Sequence, residues 1–315
     1  MAKIATREAY GKALMECVRT NPNIVVLDAD LSGSTKSGSV KKVNPDIFFN
    51  MGIAEGNMMS VAAGLAASGK IAFASSFAMF AAGRAYEQIR NSIAYPALNV
   101  KICASHAGIS VGEDGASHQC IEDIALMRVI PNMRVLQPAD AVEAEQMIPE
   151  VVKMEGPVYV RMSRLATEQV HDENYKFVPG KVDVIHEGKD VVIFASGLEV
   201  NEAKLACDEL RKEGIDPTLV NVHTIKPLDE EGVVELAKKH KHIITVEEHS
   251  VIGGLGSAIA ECLIKNYPTS VTMMGVQDTF AESGKPNELF KKYELDSTAI
   301  IKKVQEVYGN DKVER

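Results

Sequence analysis

Glu55 is the one ionisable side chain between Asp46 and Lys70, inside the run FFNMGIAEGNMMSVAAGLAASGK of residues 48–70. On the residues alone, the plainer reading is a structural acid in the first turn of a helix. The sharper reading is a carboxyl kept dry, since an apolar surround raises its pKa and lets it hold or share a proton. Other polar groups stand where a parallel sheet would present them. They are Asp30 with LSGSTKSG after it, Ser75 and Ser76, His106 with AGISVGEDGASHQ after it, and Arg164. Asp114 and His118 lie four apart in EDGASHQ. A loop Asp and His carry little by themselves. A third polar group, His106, at the same edge strengthens them, because imidazole titrates near neutrality and can pass a proton.

The elements that would position these groups are short β-branched runs alternating with helix-length segments. IVVLDAD (24–30), KIAFASS (70–76), NVKICASH (99–106), MRVLQP (133–138) and PVYVRMSR (157–164) read as buried parallel strands. A second series follows: DVVIFASG (190–197), TLVNVHTI (218–225), HIITVEEH (242–249) and SVTMMGV (270–276). Strands linked by crossover helices predict an α/β fold. We expect two domains, 1–165 and 190–315, each a mostly parallel sheet with helices on both faces, joined by a polar linker over 166–189. In such sheets ligands bind beyond the carboxyl ends of the strands, where the first-domain polar groups fall.

Composition narrows the classes. The 315 residues are 46% hydrophobic and 24% charged, as expected of a globular protein. Thirty-four Lys and Arg against 43 Asp and Glu give a net charge of −9, which argues against a general nucleic-acid binder. The five cysteines are scattered without metal-ligand spacing and read as apolar filler in a reducing compartment. No metal site is expected on this chain. The N-terminal MAKIATREAY lacks a signal-peptide core, and the 47–69 run carries Asn, Gly, Ser and Glu55, so a cytoplasmic protein is expected. GGLGS (253–257), after a second-domain strand, lacks full dinucleotide-fingerprint spacing. Tight helix–sheet packing accounts for it.

ATR (5–7), DADLSGST (28–35), GIAEGNM (52–58), SSFAMF (75–80), SHAGISVGEDGASHQ (105–119) and RMSR (161–164) occur in the order and approximate spacing of the second half of a transketolase. IKPLD (225–229) and EEH (247–249) resemble its C-terminal domain. The resemblance covers essentially the whole chain, and VGEDGASHQ is its most specific piece. It implies a pyrimidine-facing domain plus a C-terminal domain. The family's diphosphate- and metal-binding motif is absent. The expected protein is therefore the C-terminal subunit of a split transketolase. It would share thiamine diphosphate with an N-terminal subunit that holds most of the Mg²⁺ or Ca²⁺, in a heterotetramer.

The resemblance also implies roles. Glu55 would hydrogen-bond the cofactor's aminopyrimidine and activate it, the protein tuning a cofactor that carries the hard chemistry. Phe77 and Phe80 would pack on the ring, although two Phe at i, i+3 on a helix also suit a core. Asp30 would lie near the thiazolium, or cap its loop. Arg7, Ser34, His106 and Arg164 would contact the phosphate and hydroxyls of a sugar phosphate, guanidinium forks suiting phosphate oxygens. Asp114 and His118 would bind sugar hydroxyls, with His118 a proton shuttle. Ala54, Gly56 and Gly83 depart from the Arg, His and Tyr common in the family, so the pocket is altered. GIAE is closer to 1-deoxyxylulose-5-phosphate synthase, the first alternative, with a 2-oxoacid dehydrogenase β subunit next. A ligand-sensing or scaffold subunit is the non-enzymatic alternative.

Overall fold

A computed structural model describes residues 3–313. Its first sheet has seven strands in the order Thr224–Lys226, Arg134–Leu136, Val158–Arg161, Val100–Ser105, Ile71–Phe77, Ile24–Asp28 and Phe48–Asn50. All pairs are parallel except the first. The second has five, in the order Thr272–Val276, His242–Ser250, Val191–Ala195, Thr218–Asn221 and Asp183–His186, the last antiparallel. The α/β class with mostly parallel, helix-flanked sheets is as read.

Alternate residues along a strand feed opposite cores. Val25 and Leu27 enter one apolar cluster of the first sheet, Ile24 and Val26 the other. Val191, Ile193 and Ala195 likewise face away from Val192 and Phe194 in the second. Burial on both faces is why these strands are continuous apolar runs, and why they are legible.

Two segments differ from expectation. TLVNVHTI is two strands. Thr218–Asn221 stays in the second sheet, and Thr224–Lys226 crosses to pair antiparallel with Arg134–Leu136 of the first. The expected linker contains Ala166–Thr167, paired with Ile4–Ala5, and the edge strand Asp183–His186. Within it His171 is buried, its ring nitrogens 3.0 Å from Asp140 Oδ2 and 2.9 Å from Asp183 Oδ2. Burial opposes the imidazolium, but these two hydrogen bonds outweigh it and lift the pKa to about 10. His171 is thus a charged tie between a helix cap of the first unit and the sheet of the second.

Candidate active site

The helix Glu55–Ala67 begins on Glu55, where a carboxylate meets the positive end of the helix dipole. Its side chain is 1% exposed. The surround is not purely apolar as expected. Arg84 Nη1 lies 3.1 Å from Glu55 Oε2 and 3.3 Å from Oε1. Arg84 itself is half-exposed and rests over Phe80, 5.1 Å from the ring centroid, a cation–π contact. Phe77 and Phe80 do not share one regular helix. Phe77 ends the strand Ile71–Phe77, and Phe80 lies in the π-helical turn Met79–Arg84 that follows. Wide turns of this kind gather at functional sites.

The two rings are near-parallel with centroids 6.0 Å apart. His106 stacks on Phe77 at 3.8 Å, and His118 meets Phe80 edge-on at 5.3 Å. One face therefore joins Glu55, Arg84, Phe77, Phe80, His106 and His118, drawn from four separate stretches of chain. His106 follows the strand Val100–Ser105 with φ of +58°, unusual for a non-glycine, and its Nδ1 is 2.9 Å from Ser105 Oγ. Burial, then the charges of Arg7, Arg164 and His118, push its pKa down to about 3. At neutral pH it is a neutral hydrogen-bonding group.

Arg7, in the first turn of the helix Thr6–Thr20, donates from Nη1 to the Ser34 carbonyl at 2.7 Å. Its Nε–H is buried without a partner, a donor left for a ligand. Arg164 donates to the Val111 carbonyl at 2.7 Å and pairs with Glu113 at 3.0 Å. Both partners belong to the loop after His106. Ser34 meets Arg7 through its backbone. Asp30 and Asp114 lie on the rim: both are exposed, and Asp30 accepts from Asn50 Nδ2 at 2.9 Å.

Several residues escaped the sequence reading. Asp28, fully buried, organises the 31–37 loop by accepting from Leu31 N, Thr35 Oγ1 and Ser37 Oγ. Arg84 had one available signal, its i+4 spacing from Phe80. Arg161, Asp123 and Glu248 form a buried network with no local signature. At GGLGS, the carboxylate of Glu247 accepts from Leu255 N and Gly256 N, so the helix start is filled from within. A Cβ on Gly254 would lie 2.1 Å from Glu247 Oε2, which explains that glycine by packing. Among the described residues, no group of three or more His, Cys, Asp or Glu could hold a metal, and no helix is long and apolar enough to cross a membrane.

The family model for the transketolase pyrimidine binding domain matches residues 2–169, and that for the transketolase C-terminal domain matches residues 180–300. The chain belongs to the transketolase family. A Methanocaldococcus jannaschii protein named as a transketolase C-terminal section is 50% identical, with 95% of each chain covered. The 6-deoxy-6-sulfo-D-fructose transketolase subunit of a Clostridium species is 42% identical over 96% of this chain and 94% of its own. Human transketolase is 37% identical, and this chain spans 49% of its length. A solved split-gene transketolase, described as an inactive β4 tetramer, superposes with TM-score 0.90 at 53% identity, covering 97% of this chain and 99% of that one. The chain is thus similar in extent to C-terminal sections and subunits, and it spans about half the length of the undivided enzymes.

Proposed function

We propose that this chain is the C-terminal subunit of a two-chain transketolase. It would move a two-carbon ketol unit from a ketose phosphate to an aldose phosphate in the cytoplasm, as part of pentose phosphate metabolism. The observation that carries the reading is the buried Glu55 carboxyl set beside the Phe77–Phe80 platform on an open face. The residues fit thiamine diphosphate. Glu55 would hydrogen-bond the aminopyrimidine, Phe77 and Phe80 would pack against it, and Asp30 on the rim would flank the thiazolium. The tail and its Mg²⁺ or Ca²⁺ belong to an N-terminal partner subunit, in keeping with the absence here of the family's diphosphate motif. The chain described as an inactive β4 tetramer agrees with such a division of labour.

When bound, thiamine diphosphate supplies a nucleophilic carbon and an electron sink. This chain's residues do the rest. Glu55 would offer its carboxyl oxygens to the ring nitrogen as a hydrogen-bonding partner, with Arg84 as the cation that must yield or shift as the ring enters. Arg7 and Arg164 orient the phosphate end of the sugar, and neutral His106 and Asp114 take hydroxyls. His118, against Phe80 at the cofactor face, moves a proton to or from the substrate oxygen. Such positioned acid–base groups contribute about 10²–10⁴-fold each.

Affinity isolation of the chain from its native cells tests the assignment. A stoichiometric second polypeptide carrying thiamine diphosphate, active in ketol transfer, is the expected outcome. Recovery of the chain alone and free of cofactor would favour a sensing or scaffold role.

A further inference from the structure

The second sheet sends one carboxylate across the seam into the substrate half of the site. Glu248 lies on the strand His242–Ser250 and is fully buried. Its Oε2 accepts from the backbone N–H of Ser110 at 3.1 Å, and its Oε1 meets Ser163 Oγ at 3.5 Å. Ser163 in turn donates its N–H to Thr6 Oγ1 at 3.0 Å. Ser110 lies four residues after His106, Ser163 immediately precedes Arg164, and Thr6 immediately precedes Arg7. One carboxylate therefore touches, or reaches through one hydrogen bond, the segments that carry His106, Arg164 and Arg7.

The loop is built to admit it. Gly108 has φ of +77°, and a Cβ there would lie 2.3 Å from Glu248 Oε2. His106 holds a left-handed backbone, unfavourable for an L-residue and persisting only where its surroundings impose it. The main chain of the loop is tied by Ala107 N–H to the Met162 carbonyl and by Gly108 N–H to the Cys120 carbonyl. Glu248 closes the far end. Beneath it Arg161 donates to the Glu248 carbonyl at 3.1 Å and to Asp123 Oδ2 at 2.9 Å, so the strand that offers Glu248 is itself fixed to the first sheet. Its acidic neighbours are Asp123 and the fully buried Glu199, whose carboxyl is driven towards its neutral form by burial.

We propose that Glu248 is a positioning residue for the substrate pocket: by bridging the Gly108–Ser110 turn to Ser163, it fixes His106, Arg7 and Arg164 relative to one another. This assigns the second domain a task in substrate binding, and its kinetic consequence rests on the ketol-transfer reading above.

Two measurements on the full chain test it, using Glu248→Ala, Glu248→Gln and Glu248→Asp. Gln keeps a carbonyl oxygen at the right reach, whereas Asp keeps the charge but falls one methylene short of Ser110. The first measurement is a histidine-labelled NMR titration of the chain without partner, with the His106 signal assigned by His106→Asn. The wild-type ring, facing Arg7, Arg164, His118 and Ser105, should stay neutral down to pH 5, and Glu248→Gln should match it. Glu248→Ala and Glu248→Asp should release the ring to titrate towards pH 6.5, the ordinary value for imidazole. The second is steady-state kinetics with the partner subunit present. KM for the ketose phosphate should rise at least tenfold in Ala and Asp, with kcat and thiamine diphosphate affinity within threefold of wild type and Gln restoring KM. If Ala does not fold, the Gln and Asp pair decides. An Asp variant like wild type beside a damaged Gln variant would overturn the proposal, showing that charge facing Arg161 matters and reach does not. So would unchanged His106 titration in both Ala and Asp. A shifted titration in a complex that transfers no ketol unit would leave the positioning intact and sink the transketolase reading.

Discussion

The carboxyl edges of the two sheets have the same construction and opposite fates. At the first, Asp30 and Asp114 are exposed, Arg84 and Arg164 are partly so, and Arg7 keeps an unpartnered buried donor. At the second, the EEH end of the strand His242–Ser250 is consumed within the protein. Glu247 caps the helix Leu255–Asn266, and Glu248 reaches Ser110 across the seam. His249, buried and held neutral with its pKa near 4, accepts from Ala125 N at 3.4 Å. Arg128 of the first unit donates to the Gly253 and Gly254 carbonyls. A strand-end polar residue marks a site only where the fold leaves its hydrogen-bonding capacity unspent. Where that capacity is spent, the same residue type is a buttress.

The largest expected effect falls on the open edge. Glu55→Gln should lower ketol transfer by about 10²–10⁴-fold in the complex with its partner while assembly, read by size-exclusion chromatography, is unchanged. Near-normal turnover would make Glu55 a structural acid and erase the contrast. At the buttress, Arg161→Met should destabilise the chain by about 3–5 kcal/mol in denaturant unfolding, because it strands the buried Asp123 carboxylate. A cost under about 1 kcal/mol would show that the network does not hold the seam.

The His171 tie between the units gives a pH signature. Its folded-state pKa is raised, so its contribution is fully present below about 6.5 and is lost as pH rises towards about 10. The unfolding midpoint should fall across that window in the wild type, and His171→Gln should flatten the slope. The smallest effect is expected at Glu247→Gln, about 1 kcal/mol from a weakened helix cap, with ketol transfer unaltered. Inorganic phosphate should give no thermal shift assignable to GGLGS, since Glu247 already occupies that helix start.

Much of this contrast was legible in the sequence, for physical reasons. Strands buried on both faces are continuous apolar runs, so Ile24–Asp28 and Val191–Ala195 stood out with their end residues attached. The match of GIAEGNM and VGEDGASHQ to a known family supplied the rest of the site. What stayed hidden depends on tertiary placement. Arg84 reaches Glu55 from the π-helical turn Met79–Arg84, which no sequence periodicity announced. Thr224–Lys226 changes sheets, which no periodicity records. Glu248 looked like its neighbours in VEEH, yet adjacent side chains on a strand point to opposite faces, and that alternation sends Glu247 to a helix cap and Glu248 to the seam.

On the proposed function, this chain holds the ring half of a cofactor site that another subunit completes. Calorimetric titration of thiamine diphosphate with Mg²⁺ into the chain alone, the partner alone and their mixture tests it most directly. Saturable binding only in the mixture, weakened at least tenfold by Phe77→Ala, is the predicted result. Equally tight binding to the partner alone, indifferent to this chain or to Phe77, would contradict it.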